Sequence, residues 1–292
     1  MKILVTGAEG QLGSEIQKIS AKNHSFQYIF TDYAELDITD INSVKKFFAL
    51  QRPDFLINCA AYTAVDKAES DYEKALLINA DAVANLADAC KICDTVFFHI
   101  STDYVFDGKK PSAYFENDQT NPVSAYGKTK LYGEQNALKY HKSVIIRTSW
   151  LYSSFGNNFV KTMLRLGAER QTVKVVADQT GSPTYAEDLA NAILKITDKI
   201  VENPANLKSG IYHFSNEGQC SWCDFAKEIM MMSGNKNCRV EPVSTSEYPT
   251  PAQRPQYSLL NKEKIKVDYD VDVPHWKTGL QKCINILKQK NC

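Results

Sequence analysis

Residues 2–13 read KILVTGAEGQLG, in which a short apolar run is followed by three glycines, each three residues from the next. Helical spacing continues from Ser14 to Ala21, with Leu12 and Ile16 on one side. A strand, a glycine turn and a helix in this order are the context that a dinucleotide-binding turn requires. The glycines let the backbone approach a pyrophosphate, and the helix N-terminus offers it free N–H groups.

The spacing of the glycines is less specific than their context. Gly7, Gly10 and Gly13 form Gly-x-x-Gly-x-x-Gly, whereas the standard fingerprint is Gly-x-Gly-x-x-Gly. A simple glycine-rich turn is the alternative interpretation. Because a strand precedes the turn and a helix follows it, we favour nucleotide binding.

The next strand-like run, residues 26–31, ends at an acid, Asp32. An acid at this distance can hydrogen-bond the ribose hydroxyls of a dinucleotide, although a turn aspartate would look the same. No arginine stands beside Asp32 to bind a 2′-phosphate, so NADH suits the sequence at least as well as NADPH. Asp37 and Ile38 precede the following helix and are placed to reach the adenine.

Further strand-like runs alternate with helical segments along the first half of the chain. This alternation predicts an α/β fold with a doubly wound parallel sheet of the Rossmann type. After Trp150 the pattern changes to helices, short strands and a proline-rich loop around Arg254. We expect residues 1–150 to form a dinucleotide-binding domain, to which some later segments return. Residues 151–292 would form mainly a smaller α/β substrate-binding domain over the carboxyl edge of the sheet.

A candidate acid–base pair follows the strand-like run at 96–100. Thr102 lies at the end of that run, where open parallel sheets bind ligands. Tyr126 and Lys130 are four residues apart in a predicted helix and therefore share a face. A neighbouring ammonium would lower the pKa of the phenol, which could then donate a proton to a carbonyl oxygen. A solvated helix face and a strand-end hydroxyl are the alternatives.

Composition excludes several classes of function. Lysine plus arginine and aspartate plus glutamate both total 34, so a bulk attraction to nucleic acid or anionic membrane is not expected. No apolar run approaches a membrane span, and the first residues are too short for a signal sequence, so we expect a cytoplasmic protein. The pairs Cys90/Cys93 and Cys220/Cys223 have Cys-x-x-Cys spacing, but they are far apart, and packed reduced thiols are favoured over a zinc site.

Four longer motifs are more specific than the glycine turn. They are AYTAVDKAE at 61–69, STDYVFDG at 101–108, QTGSPTY at 179–185 and Arg254-Pro255. With the glycines and the Tyr126/Lys130 pair, they resemble the dTDP-4-dehydrorhamnose reductases, a family of extended short-chain dehydrogenase/reductases acting on nucleotide sugars. The similarity runs from Lys2 to the last predicted helix.

The resemblance implies NADPH- or NADH-dependent reduction of the 4-keto group of dTDP-4-dehydro-L-rhamnose to dTDP-L-rhamnose. Tyr126 would donate the proton, Lys130 would lower its pKa and hold the nicotinamide ribose, and Thr102 would hydrogen-bond the carbonyl oxygen. Thr102, Asp103, Trp150 and Arg254 would contact the substrate, Arg254 through its diphosphate. Trp150 could equally be a core residue and Arg254 an exposed loop arginine. The cofactor would be bound by Gly7, Gly10, Gln11, Leu12, Gly13, Asp32, Asp37, Ile38, Ala61, Thr63, Tyr126 and Lys130.

Three other activities are compatible with parts of this pattern. The related 4,6-dehydratases carry Thr-Asp-Glu after this strand, whereas Tyr104 replaces the glutamate here and disfavours dehydration. A nucleotide-sugar epimerase differs from a reductase in consuming no reduced cofactor. A non-catalytic regulatory subunit, like that of methionine adenosyltransferase, can keep similar motifs. The intact Tyr126, Lys130 and Thr102 favour an enzyme.

Metal use and assembly are not determined by the sequence. Some members of the family are homodimers with magnesium at the interface, and Glu15 would be the candidate ligand. One glutamate is not a metal-binding motif, so we predict no metal site. The expected partner is a dTDP-sugar, with neither nucleic acid nor membrane.

Overall fold

Twelve strands are found in the computed structural model, which describes residues 1–22 and 25–290. The six that build the central sheet are β1 Lys2–Thr6, β2 Gln27–Thr31, β3 Phe55–Asn58, β4 Val96–Thr102, β5 Ser143–Thr148 and β10 Gly210–His213. The others form short pairs and are β6 Leu151–Tyr152, β7 Thr172–Val176, β8 Thr180–Gly181, β9 Thr184–Tyr185, β11 Cys220–Ser221 and β12 Arg239–Val243.

The helices lie between these strands. They are α1 Gln11–Ser20, α2 Ile41–Gln51, α3 Val65–Ala68, α4 Tyr72–Leu76, α5 Ala82–Cys93, α6 Ala125–Ala137, α7 Phe159–Glu169, α8 Ala186–Glu202, α9 Trp222–Ser233, α10 Glu263–Tyr269 and α11 Trp276–Lys290. A π-helical turn, Leu77–Asp81, joins α4 to α5. Within the described residues, no helix combines the length and the apolar character needed to span a membrane.

The central sheet is parallel throughout and has the order β2-β1-β3-β4-β5-β10. Alternate residues of its strands face opposite sides, so both sides carry apolar side chains. Val5 and Phe98 pack in the core that includes Ile16 of α1 and Ile193 of α8. Leu4, Leu56 and Phe97 pack in the opposite core, with α2 and α5 residues Val44, Phe48, Val83 and Leu86. The predicted doubly wound parallel α/β fold is therefore confirmed.

Three elements from the second half of the chain pack with this sheet. β10 pairs with β5, and α8 and α10 contribute to the core that includes α1 residues. The remaining helices of the second half, α7, α9 and α11, enclose a separate core that includes Tyr152, Phe225 and Trp276. The parallel pair of β7 and β12 borders this core through Val173 and Val175.

One strand boundary and one helix differ from what the sequence predicts. The apolar run at 54–61 predicts a strand that reaches Ala61, but β3 ends at Asn58, because the Asn58 side chain accepts a hydrogen bond from the Ala60 N–H at 3.1 Å and the chain leaves the sheet. β4 ends at Thr102 as expected, and Thr102 pairs with Thr148 of β5. The helix α10 was not predicted, because its seven residues are too few to show a clear period.

Helix α6 lies very close to its neighbours at two glycines. A Cβ atom at Gly127 would be 2.2 Å from the carbonyl oxygen of Tyr104, and one at Gly133 would be 2.1 Å from that of Asn79. Glycine lowers helix stability by about 1 kcal/mol relative to alanine, so these positions reflect packing rather than helix propensity. The two glycines bring α6 against the end of β4 and the π-helical turn.

Asn79, in the π-helical turn, connects the loop after β3 to α6. Its Oδ1 accepts from the Tyr62 N–H at 2.8 Å, and its Nδ2 donates to the Tyr62 carbonyl and to Thr129 Oγ1, both at 3.1 Å. Asn79 is fully buried. The bonds satisfy both backbone groups of Tyr62 and fix the turn to the helix that carries Tyr126 and Lys130.

We expect Asn79→Ala to lower the free energy of unfolding by about 2 to 4 kcal/mol, since it leaves several polar groups without partners. Urea denaturation would measure this loss. Asn285→Ala, at an exposed position in α11, is the control and should change the free energy of unfolding by less than about 0.5 kcal/mol. Equal effects of the two substitutions would contradict the assigned role of Asn79.

Candidate nucleotide-binding and catalytic cleft

A cleft of about 850 Å³ opens at the carboxyl edge of the central sheet. It begins at the glycine turn after β1, where β2 and β3 lie on opposite sides of β1, and extends to the ends of β4 and β5. Such a reversal of strand order is where open α/β sheets bind ligands. Of the predicted site residues, the following line the cleft: Gly7, Gly10, Gln11, Leu12, Asp32, Asp37, Ile38, Ala61, Thr63, Thr102, Asp103, Tyr126, Lys130 and Trp150.

The three glycines have different structural roles. Gly7 has φ +65°, a left-handed conformation, and a Cβ atom there would be 2.6 Å from the Ala60 nitrogen. Gly13 does not line the cleft; a Cβ atom there would be 2.4 Å from the Gly7 carbonyl oxygen, so it lets α1 pack on the turn. A Cβ atom at Gly10 would meet only that same oxygen, at 3.2 Å, and would otherwise extend into open space.

The start of α1 fits a phosphate group. Gly10 is the N-cap of α1 and supplies no side chain to cap it, while Gln11 and Leu12 of the first turn line the cleft. N–H groups at a helix N-terminus bind anions, and a glycine beside them allows close approach. The residues present therefore fit the pyrophosphate of a dinucleotide.

Asp32 lies where the glycine turn meets the end of β2. Its Oδ2 accepts from the Glu9 N–H at 3.1 Å and its Oδ1 from the Tyr33 N–H at 2.9 Å. Asp37 lies further along the cleft and accepts from both the N–H and the hydroxyl of Thr39. The two carboxylates are thus held by local hydrogen bonds on the wall formed after β2.

Tyr126 and Thr102 come together at the inner end of the cleft. Ser124 caps α6 by accepting from the Gly127 N–H, which places Tyr126 in the first turn of the helix. The phenol faces the Thr102 hydroxyl, which opposes the rise that burial causes in the pKa of the phenol. Thr102 also accepts from the Tyr104 N–H at 3.2 Å and donates to Asp103 Oδ1 at 3.1 Å, so it caps a short 3₁₀ turn while facing Tyr126.

Lys130 is buried behind Tyr126, and its Nζ donates to the Ile100 carbonyl oxygen at 2.6 Å. Burial lowers the pKa of Lys130 to about 8, against the charge of Glu134, which raises it. Burial raises the pKa of Tyr126 to about 12, and the nearby Thr102 hydroxyl opposes this rise. The expectation that Lys130 lowers the pKa of Tyr126 is therefore wrong for the protein alone, because desolvation of the phenolate dominates.

Asp103 and Trp150 line the cleft at the ends of β4 and β5. Burial raises the pKa of Asp103 to about 6, and the hydroxyls of Ser258 and Thr102 oppose this rise. Asp103 Oδ2 is buried without a hydrogen-bond partner in the described part of the chain. Trp150 has φ +48° and stacks on Trp222 with ring centroids 3.7 Å apart, so it both lines the cleft and borders the second core.

Arg254 lies outside the cleft lining and forms an ion pair. Its Nη2 donates to Asp66 Oδ2 at 2.7 Å, and its Nη1 donates to Asp66 Oδ1 at 3.0 Å. The pair holds the pKa of Asp66 below its usual value. Asp66 follows Val65, a lining residue, so the pair stands beside the cleft.

Comparison with known proteins identifies the family. The model of the family described as RmlD substrate binding domain matches residues 1–289. A dTDP-4-dehydrorhamnose reductase of Aggregatibacter actinomycetemcomitans is 41% identical over 96% of this chain and 97% of its own.

The chain belongs to the dTDP-4-dehydrorhamnose reductase family.

Solved structures of the family agree with this assignment. A dTDP-4-dehydrorhamnose reductase of Clostridium acetobutylicum is 45% identical, with a TM-score of 0.93, over 99% of this chain and all of the other. A dTDP-4-dehydrorhamnose reductase of Bacillus anthracis, solved in complex with NADP, is 40% identical, with a TM-score of 0.91, over 98% of this chain and 99% of the other. The resemblance seen in the motifs is confirmed over the whole fold.

One segment of this family member's cleft was not predicted. Gly156, Asn157 and Asn158 line the cleft next to the start of α1. Asn158 caps α7 through its Oδ1 and donates from its Nδ2 to Gln11 Oε1 at 2.9 Å. The Ser-Ser-Phe-Gly-Asn-Asn composition of residues 153–158 signals a turn and a helix cap, but not its proximity to α1.

Neither cysteine pair nor Glu15 belongs to a larger cluster of metal-ligating side chains in the described residues. The seven cysteines there are free thiols, and no group of three or more metal-ligating side chains occurs in the same residues. Glu15 is buried, accepts from Ser153 Oγ at 2.6 Å and pairs with Lys18 at 3.3 Å. Lys18 also pairs with Glu187, so a cation of the protein itself lies between the two carboxylates.

Alanine substitutions at two of the glycines should separate stability from binding. Gly13→Ala forces a Cβ atom against the turn and should lower the free energy of unfolding by about 1 to 3 kcal/mol. Gly10→Ala should change it by less than about 1 kcal/mol but weaken NADPH binding at least about tenfold, because the methyl group faces the predicted pyrophosphate position. Urea denaturation and cofactor titration would measure the two effects. Unchanged NADPH affinity in Gly10→Ala would contradict this placement of the pyrophosphate.

Proposed function

We propose that this protein reduces the 4-keto group of dTDP-4-dehydro-L-rhamnose with NADPH or NADH, giving dTDP-L-rhamnose. One observation carries the proposal: Tyr126, Lys130 and Thr102 meet in the same cleft as the glycine turn, in a chain of this reductase family. A reduction of this kind needs a hydride donor at the carbonyl carbon and a proton donor at the carbonyl oxygen. The cleft has residues suited to bind the cofactor that donates the hydride, and a phenol suited to donate the proton.

The proposed cofactor position follows from the fit of the cleft. The pyrophosphate would lie against Gly10 and the first turn of α1, and Asp32 would accept from ribose hydroxyls. Asp37 and Ile38 would border the adenine, and Ala61 and Thr63 would border the central part of the cofactor. When bound, the reduced nicotinamide supplies the hydride that adds to the carbonyl carbon at C4 of the sugar. A relative solved with NADP supports this class of cofactor.

The proposed proton donor is the Tyr126 phenol. With a pKa of about 12 the phenol keeps its proton at neutral pH, which is the state that a reduction requires. As the hydride adds, negative charge develops on the carbonyl oxygen and raises its affinity for a proton. Thr102, whose hydroxyl donates to Asp103 in the protein alone, would turn that hydrogen toward the same oxygen and hold the carbonyl in line with the phenol.

Lys130 would stabilise the tyrosinate that remains after proton transfer and hold the ribose next to the nicotinamide. With a pKa of about 8, Lys130 is mostly charged at neutral pH. Its bond to the Ile100 carbonyl fixes the ammonium at the end of the strand that carries Thr102. The ammonium is lost as pH rises through about 8, so cofactor affinity should fall above that pH.

The substrate side of the cleft is proposed to come largely from the second half of the chain. Residues 1–150, with α8 and β10, would form the dinucleotide-binding domain, and most of residues 151–292 the substrate-binding domain. The unpartnered Asp103 Oδ2 would accept a sugar hydroxyl, and the Trp150 face would pack against the sugar nucleotide. Arg254 would exchange part of its pairing with Asp66 for the substrate diphosphate.

The decisive experiment combines the purified protein with NADPH and dTDP-4-dehydro-L-rhamnose. Loss of the reduced nicotinamide absorbance together with formation of dTDP-L-rhamnose is expected, with one NADPH consumed per product. A changed sugar without cofactor consumption would indicate an epimerase. Cofactor binding without any turnover would favour a non-catalytic regulatory protein.

Tyr126→Phe should lower kcat by about a hundredfold to ten-thousandfold, the usual contribution of a positioned acid. NADPH affinity should stay within about twofold, since the ring is retained. Tyr132→Phe is the matched control, because Tyr132 is on the same helix and its side chain is exposed. The Tyr132→Phe protein should have the kcat of the wild type. A Tyr126→Phe protein with full activity would exclude the phenol as the proton donor.

A further inference from the structure

A buried charged cluster adjoins the cleft: Ser101 is one of the lining residues, whereas Arg147 and Glu134 are not. Arg147 donates to Glu134 through Nε at 2.8 Å and Nη2 at 2.7 Å, and Ser101 Oγ donates to the same carboxylate at 2.5 Å. Arg147 is 2% exposed and Glu134 is 1% exposed. We call these three residues the Glu134 cluster.

The strands and helix explain why the cluster forms. Ser101 of β4 and Arg147 of β5 are direct partners in the parallel ladder, so their side chains project on the same side. Glu134 is on α6, four residues after Lys130 and eight after Tyr126, and shares their face of the helix. The close approach of α6 at Gly133 lets a short carboxylate side chain reach both strands.

Such a cluster is not explained by stability alone. A buried ion pair costs so much desolvation that an apolar pair of similar size often serves the fold as well. Here the carboxylate also lies beside the residues that carry the proposed chemistry. Ser101 stands between Ile100, whose carbonyl accepts from Lys130, and Thr102, which faces Tyr126. Ile100 and Ser101 thus each bond to a residue of α6, and the next residue of β4 faces the proposed proton donor.

We propose that Glu134, held by Arg147 and Ser101, is a positioning residue that keeps Lys130 charged and fixed at the end of β4. This inference rests on the proposed role of Lys130 in holding the nicotinamide ribose. Glu134 does not line the cleft, so it acts on the cofactor only through Lys130 and through the strand end.

The other titratable groups around Lys130 carry no negative charge that would stabilise its ammonium. Cys59, after β3, keeps its proton because burial raises the pKa of its thiol far above the usual value. His99 of β4 is neutral, since burial lowers its pKa well below the usual value, and the phenol of Tyr126 is neutral too. Glu134 is therefore the carboxylate whose charge opposes the desolvation of Lys130.

The test is the pH dependence of NADPH binding in Glu134→Gln. Wild-type affinity should fall as pH rises through about 8, where Lys130 loses its proton. In Glu134→Gln the midpoint should move about one unit lower, since the carboxylate is lost and Arg147 is left uncompensated. NADPH affinity at pH 8 should then be about fivefold weaker than in the wild type, and at pH 6 within about twofold.

The cofactor's phosphate and Asp103 also titrate, but they affect NADPH binding by the variant and by the wild type alike. Comparing the two proteins at each pH therefore cancels their contribution. A purely structural defect would weaken binding equally at both pH values, and this outcome, or an unchanged midpoint, would overturn the proposal. Glu169→Gln breaks an exposed ion pair with Arg165 and is the control, which should bind like the wild type.

A second variant covers the case in which Glu134→Gln does not fold. Glu134→Gln/Arg147→Met removes both charges and leaves no uncompensated guanidinium in the core. Its midpoint should lie between those of the wild type and the single variant, and a wild-type midpoint in the double variant would overturn the proposal. NADPH titration needs no sugar substrate, so failure of the reductase assay would not obscure this result. A wild type that binds no NADPH would overturn both proposals.

Discussion

The close contact between α6 and the end of β4 is the constraint on which the site depends. Gly127 and Gly133 remove the side chains that would hold the helix away, and Lys130 and Glu134 then bond to Ile100 and Ser101 of the strand. Lys130 and Glu134 can form these hydrogen bonds only while the helix stays close to the strand. Two helix-weakening glycines are therefore tolerated in a helix that carries the proposed proton donor.

The same contact determines the electrostatics of the cleft. Lys130 is buried and Tyr126 is half-buried at this contact, and desolvation favours the neutral form of each group. The phenol keeps its proton more firmly, while the ammonium is retained largely because a carboxylate lies one turn further along the helix. The raised pKa of Tyr126 suits a proton donor for reduction. The lowered pKa of Lys130 must be offset if Lys130 is to make a cationic contact with the cofactor.

Much of this arrangement is local and could be predicted from the sequence. The strand, glycine turn and helix of residues 2–20 follow from periodicity and from glycine chemistry, and the ends of four sheet strands place Asp32, Ala61, Thr102 and Trp150 at one edge. Other features depend on distant parts of the chain. Nothing near Asn158 indicates that it reaches Gln11, and nothing near Arg254 indicates that Asp66 engages it. The pKa of Tyr126 depends on burial, which residue spacing does not reveal.

The pairing of Arg254 with Asp66 has a consequence for how the newly made chain folds. These residues are 188 positions apart, so the bond closes a loop containing most of the protein. A loop of this length costs more chain entropy to close than the short loops around the glycine turn. A nascent chain can therefore complete its nucleotide turn early, whereas the ion pair beside the cleft can form only after Arg254 has been synthesised.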